Sequence, residues 1–230
     1  MKLENEAQTQ SLPGTGVSRR RFFTIAGVGL LAASTIASCK KDDGPSTSNG
    51  AVDLGSGDVG ILNYAYALEQ LEAAFYTKVA SGFYAGATSA EKDRLTEIRD
   101  HEIAHREFFK NALGSKAIGS LEVDFSKIDF TSRDSVLATA KAFEDLGVSA
   151  YNGAGKLIVT PDYLVLAGKI VSVEARHAAY IRDLISNGSF ADSTAVDMNG
   201  LDMAKMPADV LAVAGTFLKT KITANSLPTS

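Results

Sequence analysis

A single cysteine, Cys39, stands in 230 residues. That excludes an internal disulfide framework and any zinc or iron–sulfur centre built on several cysteines. Positive charge is not in excess either. The 23 Lys and Arg face 27 Asp and Glu, a formal net charge of −4, so the electrostatic footprint of a DNA- or RNA-binding protein is missing. No internal repeat appears at solenoid periods, and no segment alternates polar and apolar residues strongly enough to compete as a strand. What is present is the composition of an ordinary soluble protein, 45% hydrophobic and 22% charged. The length allows one medium domain plus additional segments.

The position of the cysteine explains it. Ser18-Arg19-Arg20-Arg21-Phe22-Phe23 precedes an uncharged stretch from Thr24 to Ser38, a basic start and an apolar run too short to favour a membrane-spanning helix. The paired arginines before two phenylalanines resemble the twin-arginine export signal. Ile36-Ala37-Ser38-Cys39 resembles the lipobox at which bacterial lipoproteins are cut and acylated. These motifs imply an exported protein anchored to a membrane by a lipid on Cys39, at the outer membrane or cell surface, on its periplasmic side or outer face. Lys40-Lys41-Asp42-Asp43 looks like a surface-sorting signal, and equally like a solvated charge run. Losing Lys2, Arg19, Arg20 and Arg21 with Glu4 and Glu6 leaves 19 basic and 25 acidic residues, a net charge of about −6. Residues 40–57, rich in Gly, Ser, Thr, Asn and Asp after the charge run, read as a flexible tether.

Beyond it the helical period dominates. Leu62, Ala65, Leu68, Leu71, Phe75 and Val79 recur in steps of three and four over a first helix from Asp58 to Lys78 that also carries Glu69 and Glu72. Thr88 and Glu91 stand in capping-box spacing at the start of a second, whose apolar stripe of Leu95, Ile98 and Phe109 is interrupted by Glu102 and His105. A long loop runs from Gly114 to Thr131. The third helix aligns Leu137, Ala140, Glu144, Gly147, Tyr151, Ala154 and Ile158. Thr160 and Pro161 open a fourth, with Ala167, Ile170, Glu174, His177, Ile181 and Leu184 on one line up to Asn187-Gly188. Pro207 to Lys219 reads as a shorter fifth helix, whose apolar residues serve either the bundle or pairing between chains.

Carboxylates on a core-facing stripe need an explanation, because an isolated buried charge must be paired, protonated or coordinated. Four helices each place a glutamate on the inward line, and two of these have a histidine three residues later, one turn along the same face. Four carboxylates balance two divalent cations held with neutral imidazoles.

The pattern of Glu69, then Glu102-Ile103-Ala104-His105, then Glu144, then Glu174-Ala175-Arg176-His177 resembles the ferritin-like superfamily. Its di-iron bundles use one glutamate from each of two helices and a Glu-x-x-His pair from each of the other two. Within it, the resemblance is to exported ferritin-like proteins of the desiccation-related type. It implies an all-α, ferritin-like four-helix bundle over residues 58–187, with a long crossover from helix 2 to helix 3 and an extra C-terminal helix in a 188–230 extension. It implies that Glu102 and Glu174 bridge two ions, Glu69 and His105 completing one and Glu144 and His177 the other. It further implies a place just behind the ligands for Tyr76 and Tyr151, seven residues after each lone glutamate, and that spacing favours Glu69 over Glu72 as the first-helix ligand. The cofactor implied is two iron ions, with manganese as a substitute and zinc less suited. The chemistry is oxidation of ferrous iron or reduction of oxygen or peroxide at the cell envelope.

Two other readings stand beside it. A bundle that displays a protective surface would use metal only for stability. A zinc peptidase would use His101-Glu102-Ile103-Ala104-His105, which also spells His-Glu-x-x-His. The peptidase needs a third ligand and leaves Glu69 and Glu144 unexplained. On the ferritin-like reading His101 is a dispensable neighbour.

Overall fold

A computed structural model of the chain describes residues 47–48 and 50–230. The export motifs, Cys39 and the charge run after it lie outside the described residues. Four long helices dominate: α1 (Gly57–Ala80), α2 (Ser89–Leu113), α3 (Arg133–Gly155) and α4 (Pro161–Ile185). They pack mainly as two helical hairpins, α1 on α2 and α3 on α4, with α1 also against α3. A short helix, α5 (Pro207–Ala214), continues into a 3-10 turn at Gly215–Phe217. The fold is the all-α bundle expected, and the fifth helix is shorter than its apolar spacing suggests.

Local signals account for the helix starts. Glu91 N donates to Thr88 Oγ1 at 3.1 Å and Thr88 N to Glu91 Oε2 at 2.8 Å, a complete capping box. Pro161 occupies the first turn of α4. Thr160 does not cap that helix with its side chain. Instead Asp58, in the first turn of α1, accepts from Val159 N and Thr160 N at 2.8 and 2.9 Å.

The crossover from α2 to α3 is tied down by polar side chains of α1. Asn63 Nδ2 donates to Leu54 O and Lys116 O at 3.1 and 3.0 Å, and Asn63 Oδ1 accepts from Ile118 N at 3.0 Å. Gln70 accepts from Leu121 N at 2.9 Å. Of these, Leu54 O and Ile118 N belong to buried residues and would otherwise lack partners. Below them Phe75, fully buried, meets Phe125 and Phe143 edge-on.

Two expectations fail at the ends of the domain. A small sheet is present: β1 (Thr47–Ser48) pairs antiparallel with β2 (Ala51–Asp53), which pairs parallel with β3 (Ile222–Thr223). Strands of two or three residues are too short to show alternation in sequence. The tether reading therefore fails where Thr47–Ser48 and Ala51–Asp53 pair, and Ala51 and Leu54 are buried. Their partner is the C-terminal strand about 170 residues away, which local composition cannot reveal. The extension also straps α3, where Lys205 N donates to Ser149 O at 2.9 Å. A Cβ on Gly153 would lie 1.7 Å from Lys205 O, so only glycine admits that approach.

Candidate metal centre

Each long helix delivers its glutamate from the middle of an apolar stripe, and Glu69, Glu102, Glu144 and Glu174 are all fully buried. His177 is buried, and His105 keeps 13% of its side chain exposed. The i, i+3 spacing brings His105 beside Glu102 and His177 beside Glu174.

The six residues form two overlapping groups, Glu69, Glu102, His105 and Glu174 in one and Glu102, Glu144, Glu174 and His177 in the other. In each, one atom per residue lies within 4.8 Å of all the others. His105 Nδ1 is 2.8 Å from Glu174 Oε1, 3.5 Å from Glu69 Oε2 and 3.8 Å from Glu102 Oε2. His177 Nδ1 is 2.9 Å from Glu102 Oε1, 3.5 Å from Glu144 Oε2 and 3.7 Å from Glu174 Oε2. Glu102 and Glu174 thus give one oxygen to each group.

These contacts attract electrostatically, but none has the in-line geometry of a hydrogen bond. Ten buried side-chain polar atoms have no hydrogen-bond partner among the described residues. Eight of them are Glu69 Oε2, Glu144 Oε2, both oxygens of Glu102 and Glu174, and Nδ1 of His105 and His177. Buried polar atoms are rarely orphaned. Eight converging on two points, six of them carboxylate oxygens, fit two divalent cations with oxygen and nitrogen ligands.

The oxygens not aimed at those points are taken. Tyr76 Oη donates to Glu144 Oε1 at 2.5 Å and Tyr151 Oη donates to Glu69 Oε1. The tyrosines expected beside the site are there, but each serves the glutamate of the other helix. Burial, and then the charge of the carboxylate each one touches, pushes both phenols well above their ordinary range, so they remain donors.

Protonation follows the crowding. Burial pushes Glu69 and Glu102 upward, with Glu174 adding to both, and pushes Glu144 up to about 7 against the pull of His177. Burial would raise Glu174 too, but His105 and His177 on either side hold it below its ordinary value. Burial disfavours the charged histidines, yet the surrounding carboxylates, Glu102 first, raise both to about 12. The carboxylates crowded around them thus favour the charged form of both imidazoles.

Glu72 is buried as well but belongs to neither group. It faces Gly147, where a Cβ would sit 3.2 Å from Glu72 Oε1. Burial and the charges of Glu102, Glu174, Glu144 and Glu69 push it well above the carboxylate range. His101 also stands outside both groups; its Nδ1 lies 2.9 Å from His177 Nε2, a contact that linear spacing could not disclose.

The profile of the family described as "Ferritin-like domain" matches residues 57–187, more than half of the chain. The chain belongs to the ferritin-like domain family. No curated protein matches the chain significantly. The matched span of the ferritin-like domain begins with α1 and ends just past α4, so it contains all six converging residues and leaves the C-terminal strap outside. Among the described residues, no helix is long and apolar enough to cross a membrane.

Proposed function

We propose that the ferritin-like domain holds two metal ions, iron first and manganese as its substitute, and acts on oxygen or peroxide at the cell envelope. The observation that carries this reading is the set of eight orphaned buried atoms converging on two points. Glu102 and Glu174, with both oxygens free, are suited to bridge. Glu69 and His105 complete one position, Glu144 and His177 the other. Tyr76 and Tyr151 each hold one carboxylate oxygen, which fixes the other toward the ion. Redox-active ions bound there supply the electrons for reducing oxygen or peroxide.

The surroundings suit a small, apolar reactant. A cavity of about 550 Å³, including its open mouth, has an almost wholly carbon lining. Leu68, Phe109 and Tyr151 form part of its wall, beside Glu69 and one turn from His105. The envelope setting rests on the twin-arginine-like and lipobox-like motifs before Lys40. The peptidase reading has no comparable support, because His101 joins neither converging group.

The test is elemental analysis of the chain from Lys40 onward, purified without chelator, followed by anaerobic ferrous loading and exposure to oxygen or peroxide. About two ions per chain, lost in Glu102→Ala, with ferrous oxidation faster than in buffer, is the expected result. Two ions without turnover would leave metal with a structural role only. Absence of metal after reconstitution would overturn the reading.

A further inference from the structure

The two halves of the site are related by a near-repeat: Glu69 with Glu102-x-x-His105 on one side, Glu144 with Glu174-x-x-His177 on the other. The repeat breaks one residue before each bridging glutamate. On α2 that residue is His101; on α4 it is Val173. His101 crosses to α4 and meets His177 edge to edge, the rings within 8° of parallel and their centroids 5.2 Å apart, with Nδ1 2.9 Å from His177 Nε2. Among the described residues, nothing equivalent binds the outer nitrogen of His105.

Donor and acceptor roles follow from what His177 faces. Its Nδ1 points among Glu102, Glu144 and Glu174, so a metal ion there takes the Nδ1 lone pair. Nε2 must then carry the ring's hydrogen, and His101 Nδ1 accepts it. Without His101, the Nε2–H that ligation through Nδ1 requires would have no acceptor among the described residues.

We propose that His101 is a positioning residue that holds His177 in its Nε2–H tautomer and so makes the Glu144–His177 position the tighter of two unequal metal positions. The inference rests on the metal-binding reading above. Partners in this role change metal affinity by about 10–100-fold when removed. The Glu69–His105 position, lacking such a partner, takes the weaker ion.

The experiment is a titration of chelator-treated protein with Mn2+, with free ion followed by electron paramagnetic resonance, for the wild-type chain, His101→Phe and His101→Asn. His101 is exposed, so helix content by circular dichroism should not change. The wild type is expected to bind two ions in unequal steps. His101→Phe should weaken the tighter step about 10–100-fold and leave the weaker one unchanged. His101→Asn, whose amide oxygen can accept from His177 Nε2–H, should recover most of the loss. Two unchanged steps in His101→Phe, or an asparagine variant no better than phenylalanine, would overturn the proposal while leaving the metal site intact. A wild-type protein that binds no Mn2+ or Fe2+ would overturn both readings.

Discussion

Replacing Glu144 by glutamine should stabilise the metal-free protein and weaken the metal-loaded one. Glu144 is fully buried, and burial holds its proton up to about 7 from an ordinary 4.5. Between those two values the native state keeps a proton that the unfolded chain has released, so the stability of the metal-free protein falls as pH rises through that window. The fall is about 1.4 kcal/mol per pH unit, about 3 kcal/mol in all. Glutamine cannot ionise, and its side-chain oxygen can still accept the Tyr76 hydroxyl proton. Urea unfolding in the presence of chelator should therefore find wild type and Glu144→Gln nearly equal near pH 4.5. At pH 8 the variant should be the more stable by about 2–3 kcal/mol. Saturating Mn2+ should reverse the order at pH 8, because only the carboxylate offers a charged oxygen to the ion. A variant less stable than wild type at pH 8 without metal, or a wild type with no pH dependence over this window, would refute the reasoning.

Metal binding should also expel protons, because carboxylates hold His105 and His177 protonated up to about 12 and each must free Nδ1 to ligate. At pH 7, calorimetry in two buffers of different ionisation enthalpy should find at least two protons released per pair of ions, with Glu102 and Glu144 adding to the histidines, and affinity should drop on acidification; binding without proton release would contradict these assignments. Gly153→Ala should detach the C-terminal strap, since its Cβ would overlap Lys205 O. The expected loss is about 1–3 kcal/mol with faster proteolysis near Met203, and an unchanged unfolding midpoint would count against that contact.

Much of the candidate site is legible in the linear chain. Glu102 with His105, and Glu174 with His177, lie one turn apart on otherwise apolar faces, and helical geometry alone places each pair together. The lone glutamates are recognisable as polar interruptions of a core stripe. Helical spacing does not separate Glu69 from Glu72, since both are buried on α1; the spacing to Tyr76 favours Glu69, which does join a converging group, yet Tyr76 bonds Glu144 instead. The capping box at Thr88 and the start of α4 at Pro161 are readable because they depend on neighbours within three residues. The sheet joining Ala51–Asp53 to Ile222–Thr223 has no local signal.

The sequence by itself thus determined which residues could share a face: a helix repeats every 3.6 residues, so apolar spacing reveals the inward line and the charges set upon it. Tertiary structure alone decided which faces meet. It directed Tyr76 to Glu144 and Tyr151 to Glu69, split the oxygens of Glu102 and Glu174 between two points, and turned His101 toward His177 rather than beside His105. Those contacts join residues 68 to 82 positions apart. Their geometry depends on how whole helices cross and on the side chains that fill the space between them, and no periodicity within one helix encodes it.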